Sequence, residues 1–448
     1  MKYRLFIILI FVLSVSLISP ACKKFQFRVK PVADHFVKIA ESKNPDSVYC
    51  YTPGITRLRN GRLIVTMEFG GPGVNSFPGD KLVLSHRNAT SQGQIFTSDD
   101  AGKSWTRRGN FPFGHARPFV AGESVYILGR GYDLMVIKSD DNGITWSDPV
   151  KLTQNEQWHQ SACNVHYTKN NIYLVMEKRV DRGFYETWQV ANIAPVLMRA
   201  RTSDDLTNAQ NWTFASELVF EDAVDYRELD CFGVPFYKMD PKTALYPAEN
   251  RGMAAIGWLE ANVVQFTDPD HLWYDPLGNT FHLWMRAHTG STNLAAICKV
   301  KENADGTMTT LLETAPSGKK MVYVPCPGGQ MRFHILYDQI SKKYWLLSSQ
   351  STDSMTDPGK LPEERYNLPN NERHRLQLHF SKNCIDWCFA ALVAVGETPR
   401  QGRHYASMVI DGEDLYVVSR SGNHLAKDAH DGNMITFHTI KNFRQFIY

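Results

Sequence analysis

The 448-residue sequence lacks an excess of charge of either sign. Lysine and arginine total 49, and aspartate and glutamate total 46, so the formal net charge is only +3. A nucleic-acid-binding protein usually carries a concentrated basic surface, so this balance argues against nucleic acid as a partner. Charged residues make up only 21% of the chain, whereas 43% is hydrophobic. That proportion excludes disorder and allows a sizeable core.

Long apolar runs are missing beyond the N-terminus. Residues 5–18 form an apolar or small-residue run that follows Lys2 and Arg4 and ends at Ser19-Pro20-Ala21. A basic end, a short apolar core and a small-residue exit are typical of a secretory signal peptide, which we predict over residues 1–21. No later segment is apolar enough to span a membrane, so a lipid is the only membrane anchor that we expect.

Cys22 follows this run directly. A cysteine after a small residue is the place where a bacterial lipoprotein is cleaved and acylated, although Ser19 stands where such sites usually carry leucine. Ordinary secretion and lipidation of Cys22 therefore both stay open. The expected location is outside the cytoplasm of a bacterium: secreted, periplasmic or at the outer membrane.

Metal-ligand spacings are also lacking. The seven cysteines other than Cys22 are scattered and odd in number, and no pair has zinc-ribbon spacing. They are Cys50, Cys163, Cys231, Cys298, Cys326, Cys384 and Cys388. This pattern favours buried free thiols, with one incidental disulfide as the alternative. The histidines are too dispersed to predict a metal site, and no cofactor is implied.

Long amphipathic helical periodicity is absent, and short strands separated by turns take its place. Examples are residues 62–67, 125–128, 172–176 and 414–418, each preceded by a polar turn such as Arg59-Asn60-Gly61. Strands of about five residues that recur over hundreds of positions predict an all-β fold.

A repeated turn sequence, S-x-D-x-G-x-[ST]-W, is the strongest pattern in the chain. It occurs at residues 98–105 and 139–146, with degenerate copies at Ser203 to Trp212 and Ser381 to Trp387. The aspartate carboxylate is suited to accept backbone N–H bonds, the glycine to adopt positive φ, and the tryptophan to pack beside the turn. This is the Asp-box found on β-propeller blades, and it predicts a structural role for these aspartates.

The boxes and their order resemble the sialidase (neuraminidase) superfamily over nearly all of the chain after about residue 45. The resemblance implies a six- or seven-bladed β-propeller of four-stranded antiparallel blades. We therefore expect a linker at residues 22–45 and one propeller domain at 46–448, and we expect the protein to be a monomer.

The first-blade motif departs from the family pattern. The stretch Tyr51-Thr52-Pro53 matches the Arg-Ile-Pro motif, and Glu68-Phe69-Gly70 matches Glu-x-Arg. Tyr51 and Gly70 thus stand where the family carries arginines. A missing charge-assisted hydrogen bond should weaken sialate binding about tenfold or more, which argues against a routine sialidase.

Later motifs match the family at four positions. Glu260 in Trp258-Leu259-Glu260 falls where the family has the glutamate that assists its nucleophile, and Tyr405 falls at the catalytic tyrosine. Arg286 and Arg373 fall at substrate-binding arginines. The resemblance implies that Tyr405 is the nucleophile, Glu260 its base, and the two arginines a clamp for a substrate carboxylate.

Five further residues complete the candidate site. Asp80 follows a Gly/Pro-rich loop near the place where sialidases have an acid aspartate. His159 in Trp158-His159 resembles an aromatic–histidine pair of related propellers, which include ulvan lyases and rhamnosidases that attack rhamnose–glucuronate linkages. Histidine can act as a general acid or base near neutral pH, so His159 is a candidate catalytic residue. His115, His288 and His404 are candidate substrate-binding residues.

Three functions are compatible with these residues. The leading hypothesis is a hydrolase that removes a terminal sugar from an acidic oligo- or polysaccharide containing sialate or uronate. The second is a polysaccharide lyase that cleaves a uronate linkage by β-elimination. The third is a glycan-binding propeller without activity.

Overall fold

The structure is a computed structural model that describes residues 29–84, 89–186, 188–225, 246, 249, 256–288, 292–354, 356–362 and 372–448. Residues 31–448 form one compact unit. Among the described residues, no helix is long and apolar enough to cross a membrane. Cys22, Cys231 and the predicted signal peptide lie outside the described part of the chain.

The chain is a six-bladed β-propeller, so the prediction of an all-β propeller is confirmed and the blade number is six. The first strand, β1 (Val37–Glu41), belongs to the last blade. Blade 1 contains β2 (Tyr49–Arg57), β3 (Leu63–Gly70), β4 (Leu82–Leu84), β5 (Ala89–Ser98) and β6 (Thr106–Phe111). Blade 2 contains β7 (Gly114–Ala121), β8 (Ser124–Arg130), β9 (Leu134–Ser139) and β10 (Val150–Lys151).

The next two blades carry short additional strands. Blade 3 contains β11 (Trp158–His159), β12 (His166–Thr168), β13 (Asn171–Arg179), β14 (Ile193–Arg201) and β15 (Thr213–Phe214). Blade 4 contains β16 (Trp258–Val264), β17 (Thr280–Ala287), β18 (Leu294–Glu302) and β19 (Met308–Leu311). A two-stranded hairpin of β20 (Glu313–Thr314) and β21 (Lys320–Met321) follows. The next strand, β22 (Tyr323–Pro325), pairs with β18.

The last two blades have four strands each. Blade 5 contains β23 (His334–Asp338), β24 (Lys343–Ser348), β25 (Arg375–Ser381) and β26 (Cys388–Val395). Blade 6 contains β27 (Arg403–Asp411), β28 (Asp414–Ser421), β29 (Met434–Ile440) and β1. The described helices are short: α1 (Phe220–Ala223) and the 3-10 turns Pro72–Ser76, Ala209–Asn211, Pro358–Lys360 and Phe443–Phe446.

The two ends of the propeller meet in blade 6. β1 pairs antiparallel with β29, with Val37 opposite Phe437 and Glu41 opposite Met434. The N-terminal strand is therefore the outermost strand of the C-terminal blade and closes the ring. This strand lies within residues 22–45, the segment predicted as a linker.

The box turn of blade 1 packs against the neighbouring blade 6. Asp100 accepts hydrogen bonds from the backbone N–H and the hydroxyl of Ser104 (2.9 and 2.6 Å). Gly102 has φ +83°, and a Cβ built on it would lie 2.1 Å from the ring of Phe437. The box of blade 1 thus packs tightly against blade 6, beside an edge-on contact between Trp105 and Phe437.

The apolar core is divided among the blade interfaces. Val65 of β3, for example, packs in one cluster with Val418 of β28 and Phe437 of β29. The six described cysteines are all free, and five of them are buried. Among the described residues, the interpretation as buried thiols is therefore confirmed over a disulfide.

Candidate active site

Four first strands share one irregularity. In β2, β7, β16 and β27, pairing with the second strand of the blade skips two residues. The first skipped residue has a positive φ in every case: Thr52 (41°), His115 (54°), Glu260 (60°) and Tyr405 (49°). Such backbone is uncommon for residues other than glycine, and bulges re-aim side chains. The repeated bulge therefore places three predicted site residues at equivalent positions of three blades.

The second strands add charged side chains at one shared position. The residue before each bulge is paired with Glu68, Arg130, Arg286 or Arg420, depending on the blade. In blade 3, His159 is paired with Glu177 in the same way. Five blades thus carry a charged residue at an equivalent position of the second strand.

Arg286 joins the two predicted catalytic groups. Its Nη1 donates to the hydroxyl oxygen of Tyr405 at 2.8 Å and lies 3.5 Å from Oε2 of Glu260. Its Nε donates to the carbonyl of Gln330 (2.9 Å), which fixes the plane of the guanidinium. Oε1 of Glu260 accepts from the hydroxyl of Ser161 at 3.0 Å. Arg286, Glu260 and Tyr405 therefore form one buried group contributed by blades 4 and 6.

The surroundings of the Tyr405 hydroxyl shift its pKa in opposite directions. Burial raises the pKa of Tyr405 most, and the neighbouring Glu260 carboxylate raises it further. The guanidiniums of Arg286 and Arg373 lower the pKa of Tyr405. The resting tyrosine is consequently neutral and has a carboxylate nearby that can take its proton.

Two more arginines surround the same ring. The guanidinium carbons of Arg373 and Arg420 each lie 5.4 Å from the centre of the Tyr405 ring. Burial, together with the Arg420 and Arg286 guanidiniums, lowers the pKa of Arg373 to about 10. Three buried guanidiniums and the carboxylate of Glu260 thus lie around Tyr405.

His404 supports Arg373. Its Nδ1 lies 3.1 Å from Nη1 of Arg373, and its Nε2 lies 2.8 Å from the carbonyl oxygen of Ala429. Burial, and then Arg373, holds the pKa of His404 well below its usual range. A neutral ring fits both contacts, because Nδ1 then accepts from the guanidinium and Nε2 donates to the carbonyl.

Arg420 was missed by the sequence argument. It comes from blade 6 and lies 4.2 Å from the ring centre of Tyr51, the residue in the place of the absent first-blade arginine. The Tyr51 hydroxyl donates to Oδ1 of Asp431 at 2.7 Å. The structure therefore adds a third arginine, from blade 6, beside the two that the sequence predicted.

The predicted histidines form a neighbouring cluster. Nδ1 of His159 lies 2.7 Å from Oε2 of Glu177, and the rings of His159 and His115 meet edge-on with centres 5.2 Å apart. Nε2 of His115 lies 3.4 Å from Oε1 of Glu68. Two histidine–glutamate pairs from blades 1, 2 and 3 are thus in contact with each other.

Trp188 links this cluster to the arginines. Its ring centre lies 6.0 Å from that of His159 and 5.3 Å from that of His288. The Arg286 guanidinium lies 5.8 Å from the same indole, and its Nη2 is 3.4 Å from Nε2 of His288. Burial, and then Arg286, keeps the pKa of His288 well below its usual range.

Asp80 occupies a different environment. It is exposed in the loop before β4, and its carbonyl oxygen accepts a hydrogen bond from Gln92 at 3.0 Å. The described contacts do not join its carboxylate to the other predicted site residues. The structure thus brings together His115, His159, Glu260, Arg286, His288, Arg373, His404 and Tyr405 but not Asp80.

One group of metal-ligating side chains lies at the edge of this region. Asp428, His430 and Asp431 hold potential ligand atoms within 4.8 Å of one another. Oδ2 of Asp431 lies 2.8 Å from Nζ of Lys427, and Arg420 lowers the pKa of His430 to about 4. Asp431 also accepts the Tyr51 hydroxyl at 2.7 Å and lies 2.7 Å from Nδ1 of His430, so its carboxylate is already held by side chains of the protein.

The chain was compared with known proteins. No protein-family model and no curated protein matches it. Three solved structures superpose with a TM-score of 0.52: a protein of unknown function from Dyadobacter fermentans, a Hadza microbial sialidase, and a mutant of Trypanosoma rangeli sialidase displaying trans-sialidase activity.

The coverage of these matches is broad and their identity is low. The Dyadobacter protein is 15% identical, with 92% of this chain and 98% of the other covered. The Hadza sialidase is 12% identical (91% and 68% covered), and the Trypanosoma sialidase is 11% identical (93% and 60%). The chain therefore spans about three fifths of the Trypanosoma protein, and it has the six-bladed propeller fold that these sialidases share.

Proposed function

We propose that the protein is a secreted or surface glycoside hydrolase that removes a terminal sugar from a carboxylate-bearing glycan. The observation that carries this proposal is the bond from Arg286 Nη1 to the Tyr405 oxygen, with Glu260 3.5 Å from the same nitrogen. A tyrosine beside a carboxylate and a cation has the parts of an activated nucleophile. Solved sialidases of the same fold give this chemistry a precedent.

The reaction would proceed in two steps. Tyr405 transfers its proton to Glu260 as its oxygen attacks the anomeric carbon, and Arg286 stabilises the negative charge that develops on that oxygen. The bond to the leaving sugar oxygen breaks, and that oxygen needs a proton. Water then cleaves the covalent intermediate, and the same acid–base groups return to their starting states.

His159 is the stronger candidate for the proton donor to the leaving group. Trp188 contacts both His159 and Arg286, so His159 lies in the same continuous cluster as the nucleophile. Asp80, the alternative from sequence, lies exposed on a loop. We therefore propose His159, oriented by Glu177, as the acid.

The local charge supports a carboxylate on the substrate. Arg286 and Arg420 lie beside Tyr405 and are both buried. Glu260 lies 3.5 Å from Arg286, whereas Arg420 forms no salt bridge with a carboxylate among the described residues. Buried cations in excess favour an anionic ligand, and guanidiniums bind carboxylates in a bidentate manner. Sialosides and rhamnose–glucuronate glycans, including ulvan, are the proposed substrates.

The test is a screen of these substrates with Tyr405→Phe beside the wild type. We expect turnover of one acidic glycan and a fall in kcat of at least about 10³-fold in the variant. Tyr416→Phe is the matched control, because Tyr416 is also a buried tyrosine of blade 6 but lies in the interface with blade 1. A loss of tenfold or less in Tyr405→Phe would contradict the proposed nucleophile.

A lyase is the second candidate, and one observation favours it. Arg286 donates to the Tyr405 oxygen, which would equally stabilise the phenolate as a base that removes the proton next to a uronate carboxylate. The C–O bond to the leaving sugar breaks as the C=C bond forms, and the leaving oxygen takes a proton from the proposed acid His159, so no water is consumed. An ultraviolet-absorbing unsaturated uronate in the product indicates elimination, whereas uptake of labelled water indicates hydrolysis. Tight binding of the glycan without turnover would indicate a binding propeller.

A further inference from the structure

A separate cavity of about 170 Å³ lies on the axis of the ring. First strands of blades 1, 2, 5 and 6 line it with Gly54, Arg117, His334 and Ser407, and blade 3 adds Cys163. Arg117 and Ser407 each come two residues after a bulge residue of the candidate site. The axial cavity therefore lies next to the candidate site, about two residues farther along the same first strands.

Arg117 is buried beside this cavity without a full set of partners. Its side chain is among the largest that are completely buried. Nη2 donates to the carbonyl oxygens of Ser161 and Val175, both at 3.2 Å. Nε and Nη1 have no hydrogen-bond partner among the residues that the structure describes. A buried guanidinium thus keeps donor capacity next to an open volume.

A second buried cation lies close by. Arg332 donates to the carbonyl oxygens of Ala162 and Ala406 and to the Ser407 hydroxyl, and Ala162 and Ser407 both line the axial cavity. Within the described part of the chain, neither Arg117 nor Arg332 forms an ion pair with a carboxylate. Arg117 therefore lines the cavity, and Arg332 carries a second positive charge that is bonded to two of its lining residues.

The nearest acids leave this charge largely uncompensated. Glu177 is the carboxyl that acts on Arg117, but burial, together with Glu260, raises the pKa of Glu177 to about 8. Glu260 is already next to Arg286. Burial, and then Arg332, lowers the pKa of Arg117 to about 10, so Arg117 still carries its charge at neutral pH. A buried charge without a counter-charge is costly.

We propose that the axial cavity binds a small monovalent inorganic anion, with chloride as the abundant physiological form, against Nε and Nη1 of Arg117. The volume holds one such ion and roughly four waters at about 30 Å³ each. The anion supplies the missing counter-charge for Arg117 and Arg332. This site is distinct from the substrate site and does not depend on the proposed reaction.

The first test uses bromide as a heavy substitute for chloride. Crystals of the wild-type protein are soaked in sodium bromide, and anomalous diffraction is measured at the bromine edge. We expect a peak in the axial cavity within contact distance of the Arg117 guanidinium. Absence of bromide from the cavity overturns the proposal.

The second test measures thermal unfolding at a constant ionic strength of about 0.15 M, with chloride or with gluconate, which is too large for the cavity. A ligand that binds only the folded state stabilises it, so chloride should raise the wild-type midpoint by roughly 2 °C or more. Arg117→Met should lose this response, and Arg59→Met, at an exposed surface position, should keep it. Equal wild-type midpoints, or an unchanged response in Arg117→Met, would overturn the proposal; if Arg117→Met does not fold, the bromide result decides.

Discussion

Arg420 enters the candidate site from blade 6 and lies against the rings of Tyr51 and Tyr405. In the described structure, its Nη2 donates to the carbonyl of His430, and it forms no salt bridge with a carboxylate. Its charge is therefore available to a ligand. Arg420 thus places a positive charge 4.2 Å from the ring centre of Tyr51, the residue at the position of the missing first-blade arginine.

Substitution Arg420→Met should weaken the binding of a carboxylate-bearing glycan about tenfold or more, because one charge-assisted bond is lost. The methyl ester of the same glycan should bind the variant and the wild type almost equally. Titration calorimetry with both ligands measures the difference, with Arg59→Met as the surface control. Equal losses for the acid and the ester would show that Arg420 only positions Tyr51.

Glu177 predicts a pH-dependent stability. Burial raises its pKa from 4.5 to about 8, so the folded state binds this proton more tightly than the unfolded state. The contribution to stability is complete below pH 4.5 and is lost as the pH rises through about 8. Glu177→Gln lacks this titration. The Tm of the wild type relative to the variant should therefore fall between pH 5 and pH 8.

The matched control for this measurement is Glu123→Gln, at an exposed salt bridge. Its Tm should follow that of the wild type over the same pH range. A constant difference between the wild type and Glu177→Gln would contradict the raised pKa of Glu177. It would indicate that this carboxylate is ionised throughout and is neutralised by His159.

Several site residues that sequence reasoning missed had a detectable signal. Glu68 and Glu177 directly follow the apolar segments 62–67 and 172–176, and Arg130 and Arg420 lie two residues beyond 125–128 and 414–418. The predicted strands thus ended one or two residues before their charged termini. In this propeller, a charged residue at the end of an apolar second strand lies on the side of the ring that carries the candidate site.

The first-strand bulge is the element that builds the site. Its sequence differs between blades: Thr52-Pro53, His115-Ala116, Glu260-Ala261 and Tyr405-Ala406. No common motif therefore predicts the bulge. The positive φ falls on residues that rarely adopt it alone, and packing against neighbouring blades has to stabilise it. Strands and box turns were predictable from local chemistry, whereas the bulges and the blade number depend on the closed ring.

The box turn of blade 1 offers a test of blade–blade packing. Gly102→Ala places a methyl group against Phe437 of blade 6 and strains a residue at φ +83°. Gly306→Ala has nearly the same φ, +84°, but nothing within 4 Å of the new Cβ. The strain alone costs about 1–2 kcal/mol, and the clash should add about 1–3 kcal/mol in Gly102→Ala.

Urea unfolding of the two variants measures this difference. Backbone strain is matched between them, so the excess loss of unfolding free energy in Gly102→Ala reports the contact with blade 6. Equal losses would mean that the blade 1 box does not contribute to the interface.

On the scale of the whole molecule, ring closure links the ends of the chain. β1 completes blade 6 by pairing with β29, and the backbone N–H of Ala33 donates to the carbonyl of Val393 in blade 5. Composition and repeats predicted a single propeller but placed residues 22–45 in a linker. The strand Val37–Glu41 is short and has no local partner, so only its contact with the C-terminal blade identifies it.

A chain that starts at Ser42 should therefore be less stable than one that starts at Pro31. The shorter chain loses β1 and exposes the edge of β29, which favours aggregation. Calorimetry should show a lower Tm for the Ser42 form, and light scattering should show more association. Identical behaviour of the two forms would mean that closure by β1 is dispensable.

The pairing of β1 with β29 also sets the order of events during synthesis. Val37 emerges from the ribosome about 400 residues before Phe437, its partner across the strands. At about 5–20 residues per second this interval is roughly 20–80 s. During that time β1 has no partner strand to pair with, so the ring of blades can close only after the strand that contains Phe437 has been synthesised.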